Sequence, residues 1–416
     1  MAFFPTFPDL VMTATTALAA AAQQFPTPFW TYDAAVIRER IQRLACFDVV
    51  RFAQKASSNL HILRLMREHG VRVDAVSLGE LERALLAGYS PEGDPAGVVL
   101  TCDLLDKPTL RRVVELKVEV NCGSIDMLRQ LGEHSPGHRV WLRINPGFGY
   151  GHSRKTNTGG ENSKHGIWHE EIGDAIAVIR QYGLHLVGIH MHIGSGVDYD
   201  HLAQVGGAMV ATIQALDHDI EAFSIGGGLS TPYREGDVAV DVERYASTWQ
   251  KAKDQVEAFL AHPVRMEIEP GRFLVAESGR LVTEVRAVKR AGSRQFVLVD
   301  AGFNDLMRPA MYGAYHHMSV LGAEDRAQVE CVVGGPLCES GDVFTQDDQG
   351  LVPRLLPQPQ VGDLLVMHDT GAYGASMSSN YNSRPLLAEV LLDGAEIKLI
   401  RRPQPLADLL ALEEGL

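Results

Sequence analysis

The chain has 416 residues, 45% hydrophobic and 22% charged, with 40 Gly and 20 Pro, the balance of a globular protein of about two domains. Its 38 Lys and Arg against 52 Asp and Glu give a formal charge of −14, and without a basic run this argues against nucleic acid or an anionic membrane as partner. Five cysteines (Cys46, Cys102, Cys122, Cys331, Cys338) form no C-x-x-C pair and are odd in number, which excludes an expected disulfide framework or zinc ribbon.

The longest apolar stretch, Ala14 to Ala22, is too short to span a bilayer and has only Asp9 as a charge before it, so we expect no signal peptide, no anchor and a cytoplasmic protein. The first 28 residues carry Pro5, Pro8, Pro26 and Pro28 and read as a lead-in belonging to a second domain. Eight short β-branched runs then alternate with helical-period segments. The runs are Val49–Phe52, Val71–Val76, Val98–Leu100, Val118–Val120, Val140–Ile144, Leu186–Met191, Ala222–Ile225 and Val264–Ile268. Helices are predicted at His61–His69, Leu78–Ala87, Ile125–Leu131, Glu170–Tyr182, His201–Leu216 and Val242–Leu260. Strand then helix, repeated in this way, is the pattern of an α/β protein built as a (β/α)8 TIM-type barrel. A doubly wound open sheet is the rival, weakened because no G-x-G-x-x-G follows the first run. After about Ala276 the pattern becomes short strands with Gly and Pro punctuation, from Leu281–Val288 to Ile397–Ile400. We therefore expect a barrel over residues 30–275 and a mostly β domain made of 1–29 and 276–416.

Active-site groups of such a barrel stand just past the C-terminal ends of its strands, and the positions there are polar. Lys55 follows the first run, Asp74 and Ser77 end the second, Asn121 the fourth, Arg143 and Asn145 the fifth, and His190 and His192 the sixth. Gly226-Gly227-Gly228 ends the seventh and Glu269-Pro270-Gly271-Arg272 the eighth. A lysine desolvated at the position of Lys55 is a Schiff-base nucleophile, and otherwise it is a surface lysine. The three glycines suit a phosphate cradle, at the loops where this barrel usually binds phosphate, or form a plain turn. Glu269 needs a buried partner, either a protonated ring nitrogen or an arginine such as Arg272 or Arg143. His190 and His192 offer a metal-chelating pair or one ring that stacks on an aromatic group. A lysine, a phosphate cradle and a carboxylate together are the three fixings of pyridoxal 5'-phosphate.

These motifs resemble the fold-type III pyridoxal-phosphate decarboxylases, and within them the proteobacterial diaminopimelate decarboxylases. The resemblance rests on Phe52-Ala53-Gln54-Lys55-Ala56, His190-Met191-His192-Ile193-Gly194-Ser195-Gly196, Gly226-Gly227-Gly228-Leu229-Ser230 and Glu269-Pro270-Gly271-Arg272 in the barrel. It extends through Arg308-Pro309-Ala310-Met311-Tyr312, Gly335-Pro336-Leu337-Cys338-Glu339-Ser340-Gly341-Asp342 and Asp369-Thr370-Gly371-Ala372-Tyr373. The stretch from Lys155 to Gly166 is similar too, with His165 where most of the wider family has Phe. The resemblance implies that Lys55 carries the cofactor and that His192 stacks on its ring. By the same resemblance Ser195, Gly228 and the Pro270-Gly271-Arg272 turn hold its phosphate, and Glu269 keeps its ring nitrogen protonated. It implies Cys338 as general acid, Glu339 at the substrate's distal amine, Arg272, Arg308 and Tyr312 at a distal carboxylate, and Tyr373 at both cofactor and substrate. The expected reaction is loss of CO2 from meso-2,6-diaminopimelate to give L-lysine, in a homodimer whose subunits share active sites through Cys338 and Glu339. A decarboxylase for another basic amino acid and a non-catalytic cofactor carrier are the rival readings.

Overall fold

The computed structural model describes residues 14–149, 158–192, 194 and 198–415. The described chain falls into two compact units, one of residues 39–232 and 236–274, the other of residues up to 38, 233–235 and from 275 onward.

The first unit is the barrel. Its eight parallel strands are Val49–Ala53, Arg72–Ala75, Val98–Cys102, Glu119–Cys122, Arg139–Asn145, His185–His190, Ala222–Ser224 and Arg265–Ile268. Each pairs with the next in chain order, and the eighth pairs with the first, so the sheet closes and leaves no edge. Closure decides against the doubly wound alternative. The strands are buried nearly throughout, which is why the sequence shows continuous Val/Ile/Leu runs rather than alternation.

The helices between strands start where a short polar side chain can accept an unpaired amide hydrogen. Asn59 accepts from His61 N at 2.9 Å, Asp106 from Thr109 N at 2.9 Å, and Asp241 from Arg244 N at 3.0 Å. Ser77 accepts from Glu80 N at 3.2 Å while Glu80 reaches back to Val76 N at 2.9 Å, so both ends of that first turn are satisfied. The helix Lys107–Leu116, absent from the expected set, has Asp106 as its cap and Pro108 in its first turn.

The second unit is a nine-stranded sheet. Its long strand Gly279–Ala291 pairs antiparallel with Phe29–Asp33, Arg294–Val299 and Leu364–Met367, and Phe29–Asp33 runs parallel to Ala388–Asp393. Trp30 to Asp33, read from the sequence as the start of the barrel, are thus a strand of the β unit. The Ala-rich segment is the helix Ala14–Gln24, whose Ala17, Leu18 and Ala21 pack with Phe29, Val282, Val366 and Val390. Alanine in place of larger residues leaves no helical period to read, yet it lets the helix lie close on the sheet.

Candidate active site

The C-terminal end of the barrel gathers most of the polar residues singled out above. Glu269 stands just past the eighth strand and is 8% exposed. Ser224 Oγ, from the end of the seventh strand, donates to Glu269 Oε1 at 2.6 Å, and His190 Nε2, from the end of the sixth, donates to Oε2 at 2.9 Å. Burial opposes ionisation of this carboxyl, but the His190 ring and the Ser224 hydroxyl outweigh it and hold the pKa at about 2. The partner of Glu269 is therefore a histidine and a serine. Ser224 was not singled out in the sequence, where its only signal is a hydroxyl inside the buried run Ala222–Ile225.

His190 is 1% exposed, and its Nδ1 has no hydrogen-bond partner among the described residues. His192 lies two residues beyond the strand, where its Nδ1 accepts from Gly227 N at 3.2 Å, so that nitrogen carries no proton. Burial, with Lys55 and Arg143 nearby, pushes its pKa well below the ordinary histidine value and keeps the ring neutral. The chelating pair considered for these two histidines is not formed, because His190 is committed to Glu269 and the strand ends before His192.

Lys55 sits in the single 3-10 turn Gln54–Ala56 that caps the first strand. Its side chain is exposed, the surface placement rather than the desolvated one of the two left open in the sequence; the turn lifts it past the strand's buried end. It is close enough to Asp74, Glu80 and His192 to bear on their ionisation. Asp74, at the end of the second strand, is 3% exposed, and burial together with the charge of Glu269 pushes it up to about 8. At neutral pH the barrel end thus holds a charged carboxylate, Glu269, beside a largely protonated one, Asp74.

The seventh loop passes close to its neighbours. A Cβ on Gly227 would lie 2.5 Å from Glu269 O, and one on Gly228, whose φ is +102°, would lie 2.5 Å from Gly194 O. Only glycine brings this backbone so near both elements. Gly271 is less tightly confined, a Cβ there lying 3.2 Å from Ala53 O and from Ala56 Cβ, and Pro270 O accepts from Ala53 N at 3.2 Å. These bonds fix the turn before Arg272, which opens the short helix Arg272–Val275. Ser195 and residues Lys155 to Asn157 lie outside the described residues.

The remaining candidates belong to the β unit. Arg308, 7% exposed, and Tyr312 are the two ends of the one-turn helix Arg308–Tyr312. Arg308 Nη1 lies 3.0 Å from His316 Nε2 and 3.3 Å from Tyr233 Oη. Cys338 and Glu339 are exposed on a loop built around buried Asp342, which accepts from Phe303 N and Leu337 N at 2.7 Å each. Cys338 N donates to Asn382 Oδ1 at 3.1 Å. Tyr373 has a left-handed φ of +58°, a conformation that a bulky residue adopts only under constraint.

Residues 34–276 match the pyridoxal-binding domain of the pyridoxal-dependent decarboxylases. A diaminopimelate decarboxylase of Escherichia coli strain K12 is 63% identical over 411 residues, 97% of this chain and 98% of that protein. One from Streptomyces coelicolor is 62% identical over 401 residues, 95% of this chain and 91% of its own. Among solved structures, a diaminopimelate decarboxylase with 63% identity superposes with a TM-score of 0.93, covering 96% of each chain. The Helicobacter pylori diaminopimelate decarboxylase complexed with L-lysine, 31% identical, superposes at 0.87 over 96% of this chain and 100% of that one. With barrel, carboxylate, lysine turn and glycine loop in the order this similarity requires, the chain belongs to the pyridoxal-dependent decarboxylases, on their diaminopimelate decarboxylase branch.

Proposed function

We propose that the chain decarboxylates meso-2,6-diaminopimelate to L-lysine and CO2 with pyridoxal 5'-phosphate, the last step of lysine biosynthesis, and that it does so in the cytoplasm. The observation that carries this reading is Glu269, a carboxylate held ionised in a buried site by two short hydrogen bonds. Such a group fits a cationic ring nitrogen, and the closely confined Gly227 and Gly228 fit a phosphate approached by bare backbone. The residues present therefore suit the cofactor. When bound, pyridoxal phosphate supplies a cationic ring that accepts the electron pair left behind by departing CO2.

The residues take the following roles in this proposal. Lys55 would hold the cofactor through its amine, and its exposed place at the barrel rim keeps it accessible to substrate. Glu269 keeps the ring nitrogen protonated. Its low pKa means that it remains an anion throughout the physiological range. His192, neutral and anchored by Gly227 N, offers a flat face to the ring rather than a competing charge. Gly228, Ser195 and the Pro270-Gly271-Arg272 turn hold the phosphate, which assigns cofactor binding to the barrel unit of residues 39–232 and 236–274.

Cys338 serves as general acid and delivers the Sγ proton to the carbon that has lost CO2. Glu339 pairs with the distal amine, and Arg272, Arg308 and Tyr312 with the distal carboxylate, while Tyr373 serves both cofactor and substrate. A cation and an anion at the non-reacting end match a substrate with both charges there; ornithine and arginine have no distal carboxylate to fill such a grip. The proposed assembly is a homodimer in which Cys338 and Glu339 serve the partner's site, acting on a small-molecule substrate without nucleic acid or membrane. The test is spectroscopic. Purified chain with pyridoxal phosphate should show a bound-cofactor absorbance that borohydride fixes to the peptide containing Lys55, and Lys55→Ala should show neither; a fixed label elsewhere would contradict the assignment.

A further inference from the structure

Arg308 is a long, flexible cation in an interior position, and something must hold its guanidinium in one plane if it is to meet a carboxylate through two parallel bonds. Three observations identify what does. His316, 1% exposed, places Nδ1 2.9 Å from His368 O and Nε2 3.0 Å from Arg308 Nη1. A carbonyl can only accept and a guanidinium can only donate, so His316 is the neutral tautomer with its proton on Nδ1 and its Nε2 lone pair aimed at Arg308. Tyr233 adds a second contact: the Arg308 Cζ lies 4.9 Å from its ring centroid, Tyr233 Oη is 3.3 Å from Nη1, and the ring meets His316 edge-on at 5.6 Å.

Tyr233 is itself fixed by its surroundings. It belongs to residues 233–235, which cluster with the β unit, and the next residue, Arg234, lies over the Tyr315 ring at 5.1 Å, directly before His316 in sequence. We infer that His316 and Tyr233 are positioning residues that set the plane of Arg308 and thereby select substrates carrying a distal carboxylate. The inference rests on the proposed role of Arg308 at that carboxylate. Anchoring Nη1 from a neutral acceptor leaves the positive charge of Arg308 uncompensated by this partner, whereas an acidic residue in place of His316 would neutralise the charge the substrate is to meet.

The test compares His316→Phe, His316→Gln and Arg308→Gln in the cofactor-loaded full chain. His316→Phe keeps the ring's volume and removes the acceptor; it should raise KM for meso-diaminopimelate about 10- to 100-fold, the effect of one hydrogen bond to a charged group, with kcat little changed. Inhibition by 1,5-diaminopentane, which keeps both amines but has no carboxylate, should stay within about twofold, because a lost positioning bond affects only ligands that use Arg308. His316→Gln restores an acceptor near the place of Nε2 and should recover most of the loss. If His316→Phe does not fold, Tyr233→Phe carries the test, with KM raised about threefold or more and inhibition by 1,5-diaminopentane unmoved. An unchanged KM in the His316 variants beside a raised KM in Arg308→Gln would overturn the positioning role alone. Equal losses for diaminopimelate and 1,5-diaminopentane would overturn it as well, showing a merely structural residue. An unchanged KM in Arg308→Gln would instead remove the carboxylate assignment beneath it.

Discussion

Glu267→Gln is the substitution whose cost follows most directly from the barrel interior. Glu267 is 0% and Arg51 1% exposed, and Arg51 Nε lies 2.5 Å from Glu267 Oε2, between the eighth and first strands. At that separation, with an effective dielectric constant of about 20, the gross attraction is about 7 kcal/mol, much of it offset by the cost of desolvating both ions. Glutamine keeps the volume but leaves the Arg51 charge buried, with the Ala96 carbonyl at 2.7 Å as its remaining close acceptor. Breaking one side of such a pair costs about 3–5 kcal/mol, which for a unit of this size lowers Tm by about 10 °C. The double variant Arg51→Leu/Glu267→Leu removes both charges and should be less destabilised than Glu267→Gln. Glu267 lies on the eighth strand, two residues before Glu269, which stands just past its end, so kcat at 25 °C should stay within about twofold in the folded variant. Thermal unfolding followed by circular dichroism measures the shift. A Glu267→Gln protein within 2 °C of the parent, or a double variant worse than the single, would refute this reasoning, with about 1 kcal/mol as the dividing line.

Cys338→Ala should lower kcat by about 100-fold or more without loss of cofactor absorbance, as expected for removal of a positioned general acid; steady-state rates beside spectra decide, and full activity would contradict the role. Gly227→Ala should weaken cofactor binding at least tenfold, since its Cβ would fall 2.5 Å from Glu269 O, and titration of the apoprotein with pyridoxal phosphate reads it out. Glu221, bonded to Arg139 at 2.9 Å and His185 at 2.5 Å, has a pKa lowered to about 2, because those two bonds outweigh the effect of burial. A depressed folded pKa means that its contribution is present above the ordinary carboxylate range and is lost as pH falls from about 4.5 towards 2. Urea unfolding should therefore lose stability more steeply between pH 5 and about 3 in the parent than in Glu221→Gln, and parallel curves would contradict this.

The barrel was legible because its strands are buried on both faces and interrupted by capped helices; each of the eight runs overlaps an observed strand. What the sequence concealed has particular causes. The helix Lys107–Leu116 opens with Lys107 and Pro108 and interleaves Arg111 and Arg112 with its apolar positions, so cap chemistry at Asp106 identifies it better than periodicity does. The boundary drawn at residue 30 cuts through Phe29–Asp33, and only the pairing of this strand with Gly279–Val282 and Ala388–Leu392, far along the chain, assigns all of it to the β sheet. The strand-end rule brought Lys55, Asp74, His190 and Glu269 into view. It could not show that His190 and Ser224 grip Glu269, since those bonds span 79 and 45 positions of sequence and join the ends of three strands. The state of Asp74 likewise depends on burial and on a charge from across the barrel. His316 drew no attention, being one of three polar or aromatic residues in Tyr315-His316-His317, and its tautomer emerges only from what its two nitrogens touch.

The central claim is that Glu269, Lys55 and the residues around them serve decarboxylation of a substrate bearing charge at both ends. The most direct measurement is CO2 release by the purified, pyridoxal-phosphate-loaded protein from meso-diaminopimelate, run beside L-lysine, L-ornithine and L-arginine. The account predicts turnover of diaminopimelate alone, with L-lysine accumulating in equal amount to CO2. A protein that binds the cofactor and releases CO2 from ornithine, arginine or lysine but not from diaminopimelate would contradict it.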